Sequence, residues 1–303
     1  MASLRANFFN WYIKATFRSK PIHLMPPKSL REGAEKLAPE KPPAGITMEL
    51  VQEPNIRGEW HRAVDAARGR TVFYMHGGGY VFGSPKSHRD ATFALAKQAR
   101  ADVFSLDYRL APENPFPAAV EDAVMAYEWL LGQGCDPETM VLGGDSAGGG
   151  LTLALLLSIK ERNLPMPSGA LLYSPWTDLA ATGHSIKDND ASDAMFKAVY
   201  IVEGAKRYLG DADPKNPLAS PLYGDLSGLP PILTFASKAE VLLDDSVRLH
   251  LRLEEASVDS TLILEDGLCH VWPIFPSRFP EAMMAVEKAA SFISKQTGEN
   301  TLK

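Results

Sequence analysis

The pattern that most restricts the fold of this chain is a repeated alternation of short apolar runs with segments of helical spacing. Runs rich in β-branched, aromatic and aliphatic residues occur at 71–75, 103–106, 140–142, 170–173, 232–235 and 260–264. Between them, Val120, Val124, Tyr127 and Leu131 share one helical stripe, and so do Met283, Val286, Ala290 and Ile293. Residues 147–162 are almost wholly apolar at first, as a buried helix would be. Short buried strands alternating with helices predict an α/β fold, with a mainly parallel central sheet covered by helices on both faces.

Two regions break the rhythm. Residues 1–45 precede the first strand, end in the Pro/Gly-rich stretch 39–45, and hold no acid before residue 32 but carry Arg5, Lys14, Arg18, Lys20, Lys28 and Arg31. Residues 177–217 are polar and rich in Asp, with a helix predicted over 192–209, and read as an insertion into the domain spanning 46–303. In the first region Leu4, Phe8 and Tyr12, with Phe9, Ile13 and Phe17 beside them, recur as one helical face, expected to pack on the domain itself, with a helix lying on a membrane surface as the alternative. Asn7, Asn10 and Lys14 interrupt every apolar run there, so neither a secretory signal nor a membrane span is predicted.

A formal charge of −6 argues against nucleic acid or an anionic membrane as the main partner. Cys135 and Cys269 are too few for a disulfide framework and lie in no C-x-x-C pair; free thiols and a cytoplasmic location are the expectation. A homodimer is compatible with the sequence but not specified by it.

The chemistry-bearing motif is Gly144-Asp145-Ser146-Ala147-Gly148, placed between a predicted strand and a predicted helix. A G-x-S-x-G sequence in that context puts a serine on a sharp turn, raises Oγ above the sheet and leaves the first helical amides beneath it. A phosphate-binding loop would need Gly-Lys-Ser/Thr where this chain has Gly148-Gly149-Gly150. A second glycine run, His76-Gly77-Gly78-Gly79, directly follows the strand at 71–75. Successive glycines can turn several N–H groups toward one point, which suits a developing oxyanion. His76 is read as shaping this loop rather than transferring protons, and 107–113 as an ion-pair and turn network that supports it.

Together, His76-Gly77-Gly78-Gly79, Asp107-Tyr108-Arg109-Leu110-Ala111-Pro112-Glu113 and Gly144-Asp145-Ser146-Ala147-Gly148-Gly149 resemble the three signatures of the hormone-sensitive-lipase-like (type IV) esterases, in the same order. The resemblance covers about residue 72 to the C-terminus. It implies an α/β-hydrolase fold, a cap built from 1–45 and 177–217, and oxyanion amides from Gly78, Gly79 and Ala147. It also implies hydrolysis of short- to medium-chain carboxylic esters through an acyl-serine, with no metal and no organic cofactor.

The chain order Ser…acid…His of such folds requires a late histidine. Of the seven histidines, His250 falls within a helical run, whereas His270 follows the last strand across a short loop, where sites of α/β sheets lie. The acid candidates after the strand at 232–235 are Glu240, Asp244 and Asp245. The corresponding loop of the family reads Asp-Pro-Leu-Arg-Asp-Glu-Gly, and its first Asp falls on Glu240. Asp244 and Asp245 lie where a helix begins and suit its N-terminal turn. The predicted set is therefore Ser146, His270 and Glu240. Two other readings share this scaffold: an amidase or formamidase with the same triad, and a receptor that has lost the histidine.

Overall fold

All six apolar runs are strands, and two further strands precede them. The computed structural model describes residues 2–36 and 38–298. The strands are β1 Ile46–Gln52, β2 Arg57–Ala63, β3 Thr71–Met75, β4 Asp102–Leu106, β5 Met140–Asp145, β6 Gly169–Tyr173, β7 Ile232–Ser237 and β8 Ser260–Glu265. They form one sheet in the order β1-β2-β4-β3-β5-β6-β7-β8, in which β1/β2 and β2/β4 pair antiparallel and the rest parallel. The helices are α1 Leu4–Ile13, α2 Pro27–Glu35, α3 Arg89–Ala99, α4 Ala118–Gly132, α5 Ala147–Glu161, α6 Ser185–Asp188, α7 Ala198–Leu209, α8 Leu243–Glu255 and α9 Pro280–Gln296.

Period-two alternation splits the strand side chains between two cores. Phe73, Met75, Phe104 and Leu142 pack with Val124, Tyr127, Leu151 and Leu155 of α4 and α5. Val72, Tyr74, Val141 and Leu171 pack on the other face with Phe93 of α3 and Val286 and Ile293 of α9. Burial on both faces explains why these strands read as continuous apolar runs.

The strands β1 and β2 escape a sequence reading because β1 is a mostly exposed edge strand of mixed composition and β2 is polar. Glu59 and His61 of β2 are both buried. Burial alone would raise the Glu59 pKa, but hydrogen bonds from His61 and Arg89 outweigh it and hold that carboxyl near 2. A tertiary partner thus makes a charged residue acceptable inside a strand.

The inserted region contains α6 and α7, and α7 begins six residues later than the periodicity predicts. Aspartate side chains hold the intervening chain in turns instead. Asp193 Oδ1 accepts from the amides of Met195 (2.7 Å) and Phe196 (2.9 Å), and Asp190 Oδ1 accepts from Ala198 (2.6 Å), the first residue of α7.

In the N-terminal region α1 continues into a π-helical turn, Lys14–Arg18. The face expected to pack is corrected: Ala6 is buried with Phe9, Ile13 and Phe17 packed inward, whereas Leu4, Phe8 and Tyr12 face solvent. The rotation is set at the helix start, where Ser3 caps α1 and bonds through N–H (2.5 Å) and Oγ (2.9 Å) to Glu281 of α9. That anchor turns Phe9 onto Phe275 and Phe279, with ring centroids at 4.8 and 5.3 Å. The N-terminal and inserted regions touch each other: Tyr200 Oη donates to the carbonyl of Lys20 (2.6 Å), and Arg207 donates to that of His23. Among the described residues no helix is long and apolar enough to cross a membrane.

Candidate active site

Ser146 sits between β5 and α5 with φ 52° and ψ −120°, a left-handed conformation that a non-glycine residue adopts only when its surroundings impose it. The constraint is visible in the crossing below it. A Cβ on Gly148 would lie 2.0 Å from the Met75 carbonyl oxygen, so α5 could not approach β3 with any other residue there. The Ser146 backbone is fully engaged: its N–H donates to Tyr173 (2.8 Å) and its carbonyl accepts from Trp176 (2.9 Å) and Gly150 (3.1 Å). The side chain is thereby aimed rather than free.

The structure brings Ser146, His270 and Glu240 into one hydrogen-bonded line. Ser146 Oγ lies 2.9 Å from His270 Nε2, and His270 Nδ1 lies 2.5 Å from Glu240 Oε2. The other Glu240 oxygen accepts from the Ser237 amide at 3.0 Å, at the end of β7. All three residues are buried. With the carboxylate accepting from Nδ1–H, the lone pair of the neutral imidazole is left on Nε2, facing Oγ. Burial pulls the His270 pKa down, but the Glu240 charge and hydrogen bond, helped by Asp193 and Asp145, leave it above the ordinary histidine value. The edge of Phe196 closes the ring from the cap side, centroids 5.0 Å apart. Neither Phe196 nor Asp193 carries a motif; only the folding of the inserted region onto the β7 and β8 loops brings them to the histidine.

Beside Oγ, the loop after β3 turns through Gly78 (φ 116°) and Gly79 (φ 61°). A Cβ at Gly78 would meet the Phe82 carbonyl at 2.0 Å, so the turn demands glycine twice over. Ala147 opens α5, where position denies its amide an intrahelical acceptor. The loop is held from below by Asp145, whose Oδ1 accepts from Tyr74 Oη (2.8 Å) and Gly77 N (3.0 Å). His88 Nε2 lies 3.3–3.4 Å from the same carboxylate. Burial opposes both charges, yet each keeps the other ionised: the Asp145 pKa is lowered and that of His88 raised.

His76 bonds only locally, Nδ1 to the Gly77 carbonyl at 2.7 Å, and burial with His88 nearby drives its pKa to about 3, so it stays neutral. In 107–113 the contacts to the loop are the Tyr108 hydroxyl, donating to His76 O (2.7 Å), and the Ala111 amide, donating to Tyr80 O (2.8 Å). Of the charges of that block, Arg109 turns to Asp122 and Glu121 and Asp107 to Arg57, whereas Glu113 pairs with Arg31, whose Nε donates to the Val81 carbonyl just past the glycines (2.9 Å). His250 bonds Ser260 Oγ, away from this site.

Asp244 and Asp245 lie in the first turn of α8, as expected, but their carboxylates accept from other segments rather than capping that helix. Asp244 accepts from the Ser185 amide (3.1 Å), and Asp245 Oδ2 from those of Thr177 (2.7 Å) and Asp178 (2.9 Å), where the chain leaves β6 for the inserted region. Asp245 is buried, and among the described residues its Oδ1 has no partner. Burial raises its pKa from 3.8 to about 7, against the two amides that lower it. A carboxyl whose folded pKa is raised contributes most below its unfolded pKa and progressively less as pH rises through the folded one. Asp245→Asn keeps an oxygen for both amides and removes the ionisation. Its Tm, relative to wild type, should therefore rise between about pH 4 and pH 7 and level off above; thermal melts showing a constant difference across that range would refute this.

Above Ser146 lies a narrow cavity of about 60 Å³. The two regions set apart in the sequence both contribute walls, Ile22 and Leu30 from one and Phe196, Tyr200 and Ile201 from the other, with Gly78 and Gly79 opposite.

Comparison with known proteins agrees with the fold. The family described as having the α/β-hydrolase fold matches residues 72–274. An acetyl-hydrolase of Streptomyces hygroscopicus is 43% identical over 251 residues, which is 83% of this chain and 84% of that protein. The crystal structure of EstE5 soaked with p-nitrophenyl butyrate is similar at TM-score 0.92 and 40% identity, covering 98% of this chain and 99% of the other. A crystal structure of an esterase from the bacterial hormone-sensitive lipase family is similar at TM-score 0.91 and 39% identity, covering 98% and 100%.

Proposed function

Because the chain belongs to the α/β-hydrolase family, is an esterase of its bacterial hormone-sensitive-lipase branch and hydrolyses carboxylic esters, we propose a mechanism centred on Ser146, His270 and Glu240. Ser146 Oγ attacks the ester carbonyl carbon while His270 Nε2 takes its proton. The amides of Gly78, Gly79 and Ala147 receive the oxyanion. Collapse expels the alcohol, protonated by His270, and leaves acyl-Ser146. Water, deprotonated by the same histidine, then attacks the acyl carbon and releases the acid. Glu240 holds Nδ1–H throughout and stabilises the imidazolium. The observation that carries this reading is the buried line of hydrogen bonds at 2.5 and 2.9 Å.

The substrates proposed are esters of short to medium acyl chain. A cavity of 60 Å³ has room for only a few water-sized positions, at roughly 10–15 Å³ each, so a long chain would have to extend beyond it. On nitrophenyl esters, kcat/KM should peak at roughly C2–C8 and fall for longer chains. A rate that climbs steadily to long-chain esters, or jumps on triglyceride emulsions, would contradict the proposed range.

Residues 1–45 and 177–217 are proposed as the two parts of a cap over this cavity, supported by their mutual hydrogen bonds and the walls they supply. Removing residues 1–29 takes Ile22 and His23 from the wall and uncovers Phe275 and Phe279. The truncated protein should retain its sheet by circular dichroism, aggregate more readily, lose most of its activity and change its acyl preference. Unchanged kinetics and preference would show that the segment is no cap. A cytoplasmic location is proposed on the free thiols of Cys135 and Cys269.

A further inference from the structure

The outer face of α1 is apolar, borders an open groove, and among the described residues is left largely exposed. Leu4, Phe8 and Trp11 are 89%, 65% and 64% exposed, and Tyr12 is 39% exposed. On a helical wheel these four fall within an arc of about 100°, opposite Ala6, Phe9 and Ile13, which pack on the domain. Single exposed apolar residues are ordinary, but a contiguous aromatic stripe marks a surface that meets something.

The charges around it say what that is. Residues 1–31 carry six basic residues and no acid, so the remainder of the chain holds −6 − 6 = −12. Three of the six face acids: Arg18 faces Asp190, Arg31 bonds Glu113, and Lys28 lies 3.8 Å from Glu32. Arg5, Lys14 and Lys20 are exposed and make no ion pair among the described residues. Arg5 borders the stripe and Lys14 follows its end. Leu, Phe and Trp on one helix face beside unpaired Lys and Arg is the composition of a helix lying in a membrane interface. A second copy of the chain docked on this face would set the same three cations against their equals; an anionic partner neutralises them.

We propose that the outer face of α1 docks the enzyme on an anionic lipid surface, Leu4, Phe8 and Trp11 entering the interface and Arg5, Lys14 and Lys20 meeting the headgroups. A ten-residue helix cannot span a bilayer, so the attachment is peripheral. The same N-terminal segment supplies Ile22, His23 and Leu30 to the cavity wall. The docking itself does not depend on the proposed catalytic roles.

The test is flotation of the full-length protein with vesicles of phosphatidylcholine containing phosphatidylglycerol, and with phosphatidylcholine alone. Binding should be at least about fivefold greater on the anionic vesicles and should fall as salt is raised. Phe8→Glu/Trp11→Glu and Arg5→Glu/Lys14→Glu should each abolish most of it. Within the proposed cap segment none of these four side chains lines the cavity, so hydrolysis of nitrophenyl acetate without vesicles should stay within about twofold of wild type, which also verifies folding. Equal binding to both vesicle types, wild-type binding by either variant, or no binding by wild type would overturn the proposal. So would a lipid-free dimer that dissociates on Trp11→Glu, which would assign the face to a second copy.

Discussion

Replacement of Ser146 by alanine is expected to lower kcat by about 10⁴-fold or more while leaving the protein folded. Among the described residues the hydroxyl makes one hydrogen bond, to His270 Nε2, and its loss opens no large cavity. The strained backbone of the elbow is imposed by the Tyr173, Trp176 and Gly150 hydrogen bonds, none of which involves the side chain. Ser146→Ala therefore removes the attacking atom and little else. The glycine amides and the cavity remain, so a residual rate above that of water is expected. The measurement is kcat on nitrophenyl butyrate with pure protein, paired with a thermal melt. Activity within about tenfold of wild type would eliminate the acyl-serine mechanism.

The second large effect is expected at Glu240. Glu240→Gln keeps the shape but replaces an acceptor that fixes Nδ1–H by an amide that can equally donate to Nδ1. The imidazole is then free to carry its proton on Nε2, where it cannot accept from Ser146. The loss expected of that wrong tautomer is about 10⁴ in kcat. A pH profile separates this from a folding defect. In wild type the neutral, active imidazole is reached only above the ordinary histidine pKa, because Glu240 outweighs burial. In Glu240→Gln burial remains and the carboxylate charge is gone, so the acid limb of kcat/KM should move to lower pH as activity falls. Asp244→Asn and Asp245→Asn should keep activity within about tenfold, since both carboxylates face the hinge of the inserted region rather than His270. A dead Asp244→Asn beside an active Glu240→Gln would reverse the assignment.

Glu240 also shows how an extra methylene is accommodated. It lies three residues beyond the last residue of β7 and curls back so that Oε1 meets the amide of that residue, Ser237. The backbone is set back and the longer side chain covers the difference. This is why a glutamate can stand where the family commonly has aspartate without moving the histidine.

Much of this was legible in the residues alone, and for a physical reason. Strands buried on both faces must be continuously apolar, so β3 to β7 announce themselves whatever their neighbours, while the half-buried edge strand β8 is marked by its Leu-Ile-Leu centre. The His-Gly-Gly-Gly stretch is equally local, because positive φ and the nearby Phe82 carbonyl at Gly78 admit glycine only, whereas Gly148 is demanded by the Met75 carbonyl of distant β3. Local backbone geometry leaves its mark on local sequence. What tertiary structure alone decided is everything that depends on a distant partner. The strand β2 exists because Arg89, thirty residues on, neutralises Glu59. Asp244 and Asp245 look like helix caps, and became hinge acceptors because the amides of Ser185, Thr177 and Asp178 arrive there first. The face α1 buries was settled by one anchor, Ser3 on Glu281, which chose between two apolar sides that periodicity could not rank. In each case the free energy belongs to a pair of residues far apart in the chain, and neither member alone carries a pattern from which the other could be read.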